Sequence, residues 1–236
     1  MKNLAIVTIA IFLLAGLSAN AQHNDQEVHS EEAFVHPFLT HMGMPDQPRE
    51  VSLRTTGYTM REDGQVQNDF GMHLEAGLAK NLGLHIRNDG IKNDGYTETM
   101  LQYAVLANED FSNGISLLGE LAVPTGPIKK NHYKVLFGAS YRLTLENLIR
   151  LDGNVHYDLE EEVSHFENSV IWNANGKFFP VLEFRGHIGH EFEGYLLPAI
   201  KFRIKEHHAI GFGYQVAVTE HRDYDSQALI TYGFAF

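Results

Sequence analysis

Six residues near the start of the chain have side chains of types that can ligate metal. His23, His29, His36 and His41 offer imidazole nitrogens, and Met42 and Met44 offer thioether sulfurs. Imidazole with thioether suits copper, and imidazole alone suits zinc. Their spacings are irregular and match no fixed ligand motif, so an unstructured lead-in or a plug stays open beside the metal reading. A second set of polar groups recurs further on with a different regularity. His73, Glu75, His85, Arg87, Glu120, Arg142, Arg150, Asp152, His156, Glu167, Glu183, Arg185, His187, Lys201 and Arg203 each alternate with apolar neighbours. Charges that recur at every second residue belong to one face of a strand, with the apolar neighbours on the other.

The elements that must carry those groups are twelve alternating segments after Glu50: 50–60, 69–78, 82–87, 96–107, 114–123, 132–143, 148–157, 165–174, 177–188, 195–204, 209–219 and 227–236. In the second, Phe70, Met72, Leu74, Ala76 and Leu78 oppose Gly71, His73, Glu75 and Gly77. In the ninth, Leu182, Phe184 and Ile188 oppose Glu183, Arg185 and His187. The last segment has Ala228, Ile230, Tyr232, Phe234 and Phe236 on one parity. One parity is oily and nearly free of charge throughout, as lipid demands, because a charge at mid-membrane costs about 2–4 kcal/mol.

No apolar run after residue 21 approaches the length of a spanning helix, so a membrane-embedded form of this chain has to be a closed barrel. Twelve is an even strand count. Alternate connections (61–68, 88–95, 124–131, 158–164, 189–194 and 220–226) are mostly longer than those between them, the habit of long outer loops and short periplasmic turns. A soluble β-sandwich also alternates, but it explains neither the loop parity nor a final aromatic at Phe236. The expected fold is therefore an all-β, 12-stranded antiparallel transmembrane β-barrel over residues 49–236. Its partners are outer-membrane lipid, the barrel-insertion machinery through Phe236, and a small-molecule solute.

Residues 1–21 read as a signal peptide: Lys2, an apolar stretch from Leu4 to Leu17, then Ala19-Asn20-Ala21 as a cleavage site. Residues 22–48, with three of the seven prolines and four of the fourteen histidines, are expected to form an irregular periplasmic segment ahead of the barrel. Cysteine is absent, so packing and hydrogen bonds alone stabilise this exported chain. A formal net charge of −12 argues against nucleic acid as a partner.

The charged parity faces the lumen in this reading. Acids and bases are both plentiful there, which fits either a polar pore with a constriction or an interior packed with ion-paired side chains. The outer connections are acidic, with Glu62, Asp63, Asp89, Asp94, Glu160, Glu161, Glu162, Glu191, Glu193, Glu220, Asp223 and Asp225 around the mouth and Lys129-Lys130 as the exception. They form either a cation-favouring ring or a solvated surface.

Several strings resemble a known family. Leu121-Ala122-Val123-Pro124-Thr125-Gly126, Pro180-Val181-Leu182-Glu183-Phe184-Arg185-Gly186, Leu197-Pro198-Ala199-Ile200-Lys201-Phe202 and Gly211-Phe212-Gly213-Tyr214-Gln215-Val216 together resemble the outer-membrane barrels grouped as the MetA-pathway of phenol degradation family. The likeness spans residues 50–236. The family usually has Pro-Gly where this chain has Pro198-Ala199, and the histidine-rich lead-in lies outside its pattern. The resemblance implies a transporter-like barrel for small, hydrophobic or aromatic molecules, and supplies no catalytic residues.

An enzyme is not expected. His165 and Ser169 share one face of a strand, but four residues of strand hold them about 13 Å apart, and no Gly-x-Ser-x-Gly or His-Glu-x-x-His occurs. The expected function is an outer-membrane channel for small solutes. The alternative is a non-conducting barrel with a metal-binding (Cu or Zn) or scaffold role through its histidine-rich segment and acidic loops.

Overall fold

Alternation at period two is sustained long enough in every segment to make a strand with one oily and one polar face, and twelve such strands pair in sequence order. The computed structural model describes residues 35–89, 95–125 and 132–235. The strands are β1 (Val51–Glu62), β2 (Gln65–Ala79), β3 (Leu82–Asp89), β4 (Tyr96–Ala107), β5 (Asn113–Pro124), β6 (Lys134–Leu145), β7 (Ile149–Asp158), β8 (Val163–Trp172), β9 (Phe178–Ile188), β10 (Phe192–Lys205), β11 (His208–Ala217) and β12 (Ser226–Ala235). All neighbours are antiparallel, and β1 closes the barrel on β12 in a register running from Ser52↔Ala235 to Arg61↔Ser226. Closure leaves no unpaired sheet edge, which is what a sheet in hydrocarbon requires.

The faces separate as the sequence pattern demands. Leu101, Leu117, Phe137, Trp172, Phe212 and Ile230 are exposed on the outside, whereas the intervening positions are buried. That exposed apolar girdle is a poor surface for water and a good one for lipid.

The first hairpin differs from expectation. Instead of a loop over 61–68, the strands run on to Glu62 and Gln65 and turn in two residues, with Asp63 at φ 46° and Gly64 at φ 77°. Asp-Gly is a pair that tolerates positive φ at both central positions of such a turn. The turn chemistry overrides the local polarity of residues 61–68.

The lead-in also differs. Residues 35–48 are irregular, as expected, but 35–46 lie inside the barrel rather than ahead of it. Phe38, Met42 and Met44 are at most 1% exposed, deeper than most of the wall. The segment enters β1 through a clip on β2: Pro48 bridges Gly77, and Arg49 N donates to Gly77 O at 3.1 Å. Gly77 has to be glycine at this approach, since a Cβ there would lie 1.9 Å from the Gln47 carbonyl oxygen. The signal-peptide reading of 1–21, His23 and His29, and the terminal Phe236 all lie outside the described residues.

Candidate functional site

Residues 35–46 are largely buried in the lumen, and backbone polar groups away from water must find partners. The inward side chains supply them. Glu183, on β9, accepts from three successive amides: Phe38 N at 2.5 Å, Leu39 N at 2.9 Å and Thr40 N at 3.1 Å. Glu167 on β8 accepts from His41 N at 3.1 Å, and Asp152 on β7 from Gly43 N at 3.1 Å. The cations take the carbonyls. Lys201 Nζ donates to His36 O at 2.7 Å and Pro37 O at 2.9 Å, Arg54 also donates to Pro37 O, and Arg87 donates to Leu39 O at 3.2 Å. Thus the lumenal charges do more than pair with one another: carboxylates hold the segment's N–H groups and cations hold its C=O groups.

Apolar contacts set the same segment from a second direction. Val35, Phe38 and Leu39 pack with Tyr58, Ile171, Phe179, Val181, Leu197 and Leu229, all on the inward parity of their strands. Gly211 leaves the space for the Phe38 ring, since a Cβ there would meet it at 2.6 Å. Met44 sits with Ala104 and Phe111 in a second apolar cluster, with Ser116 Oγ 3.5 Å from its sulfur. Met42 is buried, and its carbonyl accepts from Gln102 Nε2 at 2.9 Å.

The fourteen inward candidates His73, Glu75, His85, Arg87, Glu120, Arg142, Arg150, Asp152, His156, Glu183, Arg185, His187, Lys201 and Arg203 all lie on the lumenal face, and most are buried. Ion pairs also link the strands: between neighbours, Arg142 Nε lies 2.8 Å from Asp152 and Arg185 Nη2 lies 2.5 Å from Glu167, and across β6, His156 Nδ1 on β7 lies 3.2 Å from Glu120 on β5. Glu167 and Asp152 therefore serve both a wall cation and a segment amide.

Of the six expected metal donors, His36 and His41 bring their rings to further potential ligands on the barrel wall. His36 Nδ1 is 2.9 Å from Glu75 Oε2. The His41 ring packs among His73, His85 and His156, with ring centroids 5.4–6.0 Å apart. Burial holds the His41 imidazole well below the ordinary histidine range, aided by Arg87, His156 and His85 and opposed by Glu167. The sequence reading places donors within the lead-in alone. The structure instead joins one lead-in histidine to barrel histidines, and Met44 serves as an apolar anchor in its own cluster.

The inward apolar residues Tyr58, Ile171, Phe179, Val181, Leu197 and Leu229 are what the sequence reading missed. Their signal was available: oily side chains on the parity that otherwise carries charge. They need a partner that is neither lipid nor water, and Phe38 and Leu39 provide it.

The segment leaves space on both sides of itself. Toward the end of the barrel that carries Glu50 and Ala235, a cavity of about 190 Å³ is bounded by His36, Arg203, His207 and Phe234. On the other side, a cavity of about 160 Å³ is bounded by His41, Glu120, Lys134, His156, Glu167 and Arg185. Residues 37–44 thus form a waist with a cavity on either side.

No protein-family model and no curated protein sequence matches this chain. Solved structures do. The KdgM porin superposes with a TM-score of 0.63 at 7% identity, covering 78% of this chain and 99% of that one. An outer-membrane channel from Pseudomonas putida F1 gives 0.60 at 9% identity, covering 86% and 100%. The NanC porin gives 0.56 at 10% identity, covering 79% and 98%. At these identities the likeness is one of fold: the chain has the closed twelve-stranded architecture of outer-membrane barrel channels.

Proposed function

We propose that this chain is an outer-membrane channel for small solutes whose lumen is closed by residues 35–48, and that passage requires that segment to move. The observation that carries this reading is how the waist is built. Residues 37–44 contribute no strand to the barrel and, among the described residues, are held through side chains, with a cavity on each side. A segment held by side-chain contacts can leave without breaking the barrel ladder, which is the behaviour expected of a gate. The oily outer girdle supports residence in the outer membrane, with Phe236 as the element the insertion machinery would read. The resemblance to the MetA-pathway of phenol degradation family supports small, hydrophobic or aromatic solutes as cargo, and the barrel has no catalytic role in this reading.

The filled waist also favours a second reading, a non-conducting barrel that uses its lumen to bind. Planar-bilayer recording separates the two. The mature protein is expected to be mostly closed, and a variant lacking residues 22–48 to show discrete, larger conductance steps. A deletion variant that folds and inserts but stays silent would overturn the channel reading in favour of the binding one.

A further inference from the structure

Three histidines from three elements converge beside the waist. His41 comes from the lumenal segment, His73 from β2 and His85 from β3. Each brings a ring nitrogen, and the three nitrogens lie within 4.8 Å of one another. All three residues are at most 4% exposed. Each ring also has one nitrogen with no hydrogen-bond partner, namely His41 Nδ1, His73 Nε2 and His85 Nδ1. A carboxylate completes the group. Glu75 Oε1, likewise without a hydrogen bond, lies 3.3 Å from His73 Nε2 and 3.6 Å from His85 Nδ1. Buried polar atoms that aim at one another without bonding are costly, and their presence together asks for a common partner.

The surroundings prepare at least one ring for that partner. Gln102 Nε2 donates to Met42 O and to Ser140 Oγ, both at 2.9 Å, which fixes its amide so that Oε1 faces His85 Nε2 at 2.9 Å. His85 therefore carries its proton on Nε2 and offers the Nδ1 lone pair, the arrangement in which an outer hydrogen bond orients a metal-ligating imidazole. Arg54 lies against His73 Nδ1 and Arg87 against His41 Nε2 at 3.3 Å. These two guanidiniums oppose a cation, and their contacts with the rings have to loosen for it to enter. The Glu75 carboxylate offsets part of their charge, and Arg54 keeps a second partner in the Pro37 carbonyl.

We propose that His41, His73, His85 and Glu75 form a binding site for one divalent transition-metal ion of the zinc class, and that the ion fastens the lumenal segment to the barrel wall. Three imidazoles and one carboxylate are a donor set that zinc accepts in tetrahedral geometry. Donors about 2.0–2.1 Å from a tetrahedral ion lie roughly 3.3 Å apart, so the three histidine nitrogens, which lie within 4.8 Å of one another, draw in by up to roughly 1.5 Å on binding, and Glu75 reaches the ion from beside His73 and His85. The segment, which no strand pairing holds at His41, is the part free to make that movement. The fastening role rests on the proposed gate; the site itself does not.

The test is Zn²⁺ titration of the full mature protein, refolded in detergent, by calorimetry. One ion per chain is expected, with affinity falling at least roughly tenfold in His41→Ala, His73→Ala and His85→Ala, roughly 10–100-fold in Gln102→Ala, and unchanged in the control His221→Ala. Co²⁺ loading of the unmutated protein, which needs no variant to fold, is expected to give the intense visible absorption of a tetrahedral nitrogen–oxygen site. Absence of one-to-one uptake, or equal uptake by a folded His73→Ala/His85→Ala double variant, overturns the proposal. Neither readout involves conductance, so a variant lacking residues 22–48 that inserts but stays silent would sink the channel reading, while Zn²⁺ uptake by the full mature protein would leave the site standing.

Discussion

The lumenal segment meets two walls of opposite chemistry within a few residues. At Phe38 and Leu39 it enters an oily wall built from Tyr58, Ile171, Phe179, Val181, Leu197 and Leu229. Its backbone and the His41 ring meet a polar wall in which Glu183, Glu167, Asp152, Gln102 and Arg87 each take particular atoms between Phe38 and Gly43. The oily wall rewards burial and is indifferent to detail, since transfer out of water scales with area. The polar wall gains little net energy from each bond, because water offered bonds of its own, but it penalises every bond left unmade. Affinity for the segment therefore comes from the first wall and its register from the second.

The largest effect is expected where burial is concentrated. Phe38→Ala removes a ring that is 1% exposed and carries Lys201 Nζ 4.6 Å from its centroid. Truncation of a buried Phe costs about 3–5 kcal/mol, here drawn from docking of the segment rather than from the barrel ladder. The variant is expected to keep barrel mobility on gels while residues 35–48 become cleavable by protease. Unchanged protection of the segment would mean that the polar wall holds it alone.

Near-isosteric changes sharpen the contrast further. Phe38→Leu keeps an apolar side chain of related shape and is expected to cost at most about 1.5 kcal/mol. Glu183→Gln keeps the shape of a fully buried side chain but replaces one of its two oxygens by a donor, although both accept segment amides. Its expected cost is about 2–3 kcal/mol, because charged hydrogen bonds are lost and a buried N–H faces another. Segment protection measured side by side should rank Glu183→Gln as the more damaging; the reverse order would break the division between affinity and register.

The same division explains what could be read from the sequence. Strand number, strand order and the inward placement of His73, Glu75, Glu183 and Lys201 follow from period-two patterning, which is a local property of each strand. Closure of β1 on β12 follows from the need to leave no edge in lipid. The occupied lumen does not follow locally. Val35 to Gln47 have no period, because their backbone bonds go to side chains of distant strands, such as Glu183 some 145 residues on. The histidine cluster is illegible for the same reason. His41 is an isolated donor in its own stretch, and only the β2–β3 pairing, with His73 opposite Arg87 and His85 opposite Glu75, brings the others beside it. The one legible hint was parity, since Leu229 and Ile171 are oily on a face where their strands otherwise carry polar residues such as Gln227, Thr231, Glu167 and Ser169.

The smallest effect is expected at the barrel mouth, and it isolates what burial contributes. Arg222 Nε lies 2.7 Å from Asp225, nearly the spacing of Arg142 and Asp152 at 2.8 Å. The first pair is roughly a third to two-fifths exposed and the second is fully buried. In water the attraction is screened and ordering two long side chains consumes most of it, so Arg222→Ala should shift stability by less than about 0.5 kcal/mol. Removing Arg142 instead strands the Asp152 carboxylate in the lumen, where it still has to accept from Gly43, and breaking such a buried pair costs about 3–5 kcal/mol. Denaturant midpoints of the two variants, compared at low and high salt, test the argument: the mouth variant should be near wild type and lose even its small difference in salt, while the lumenal variant should stay displaced. Equal midpoints would mean that the lumen is wetter than its burial implies and that the polar wall does not hold the segment as described.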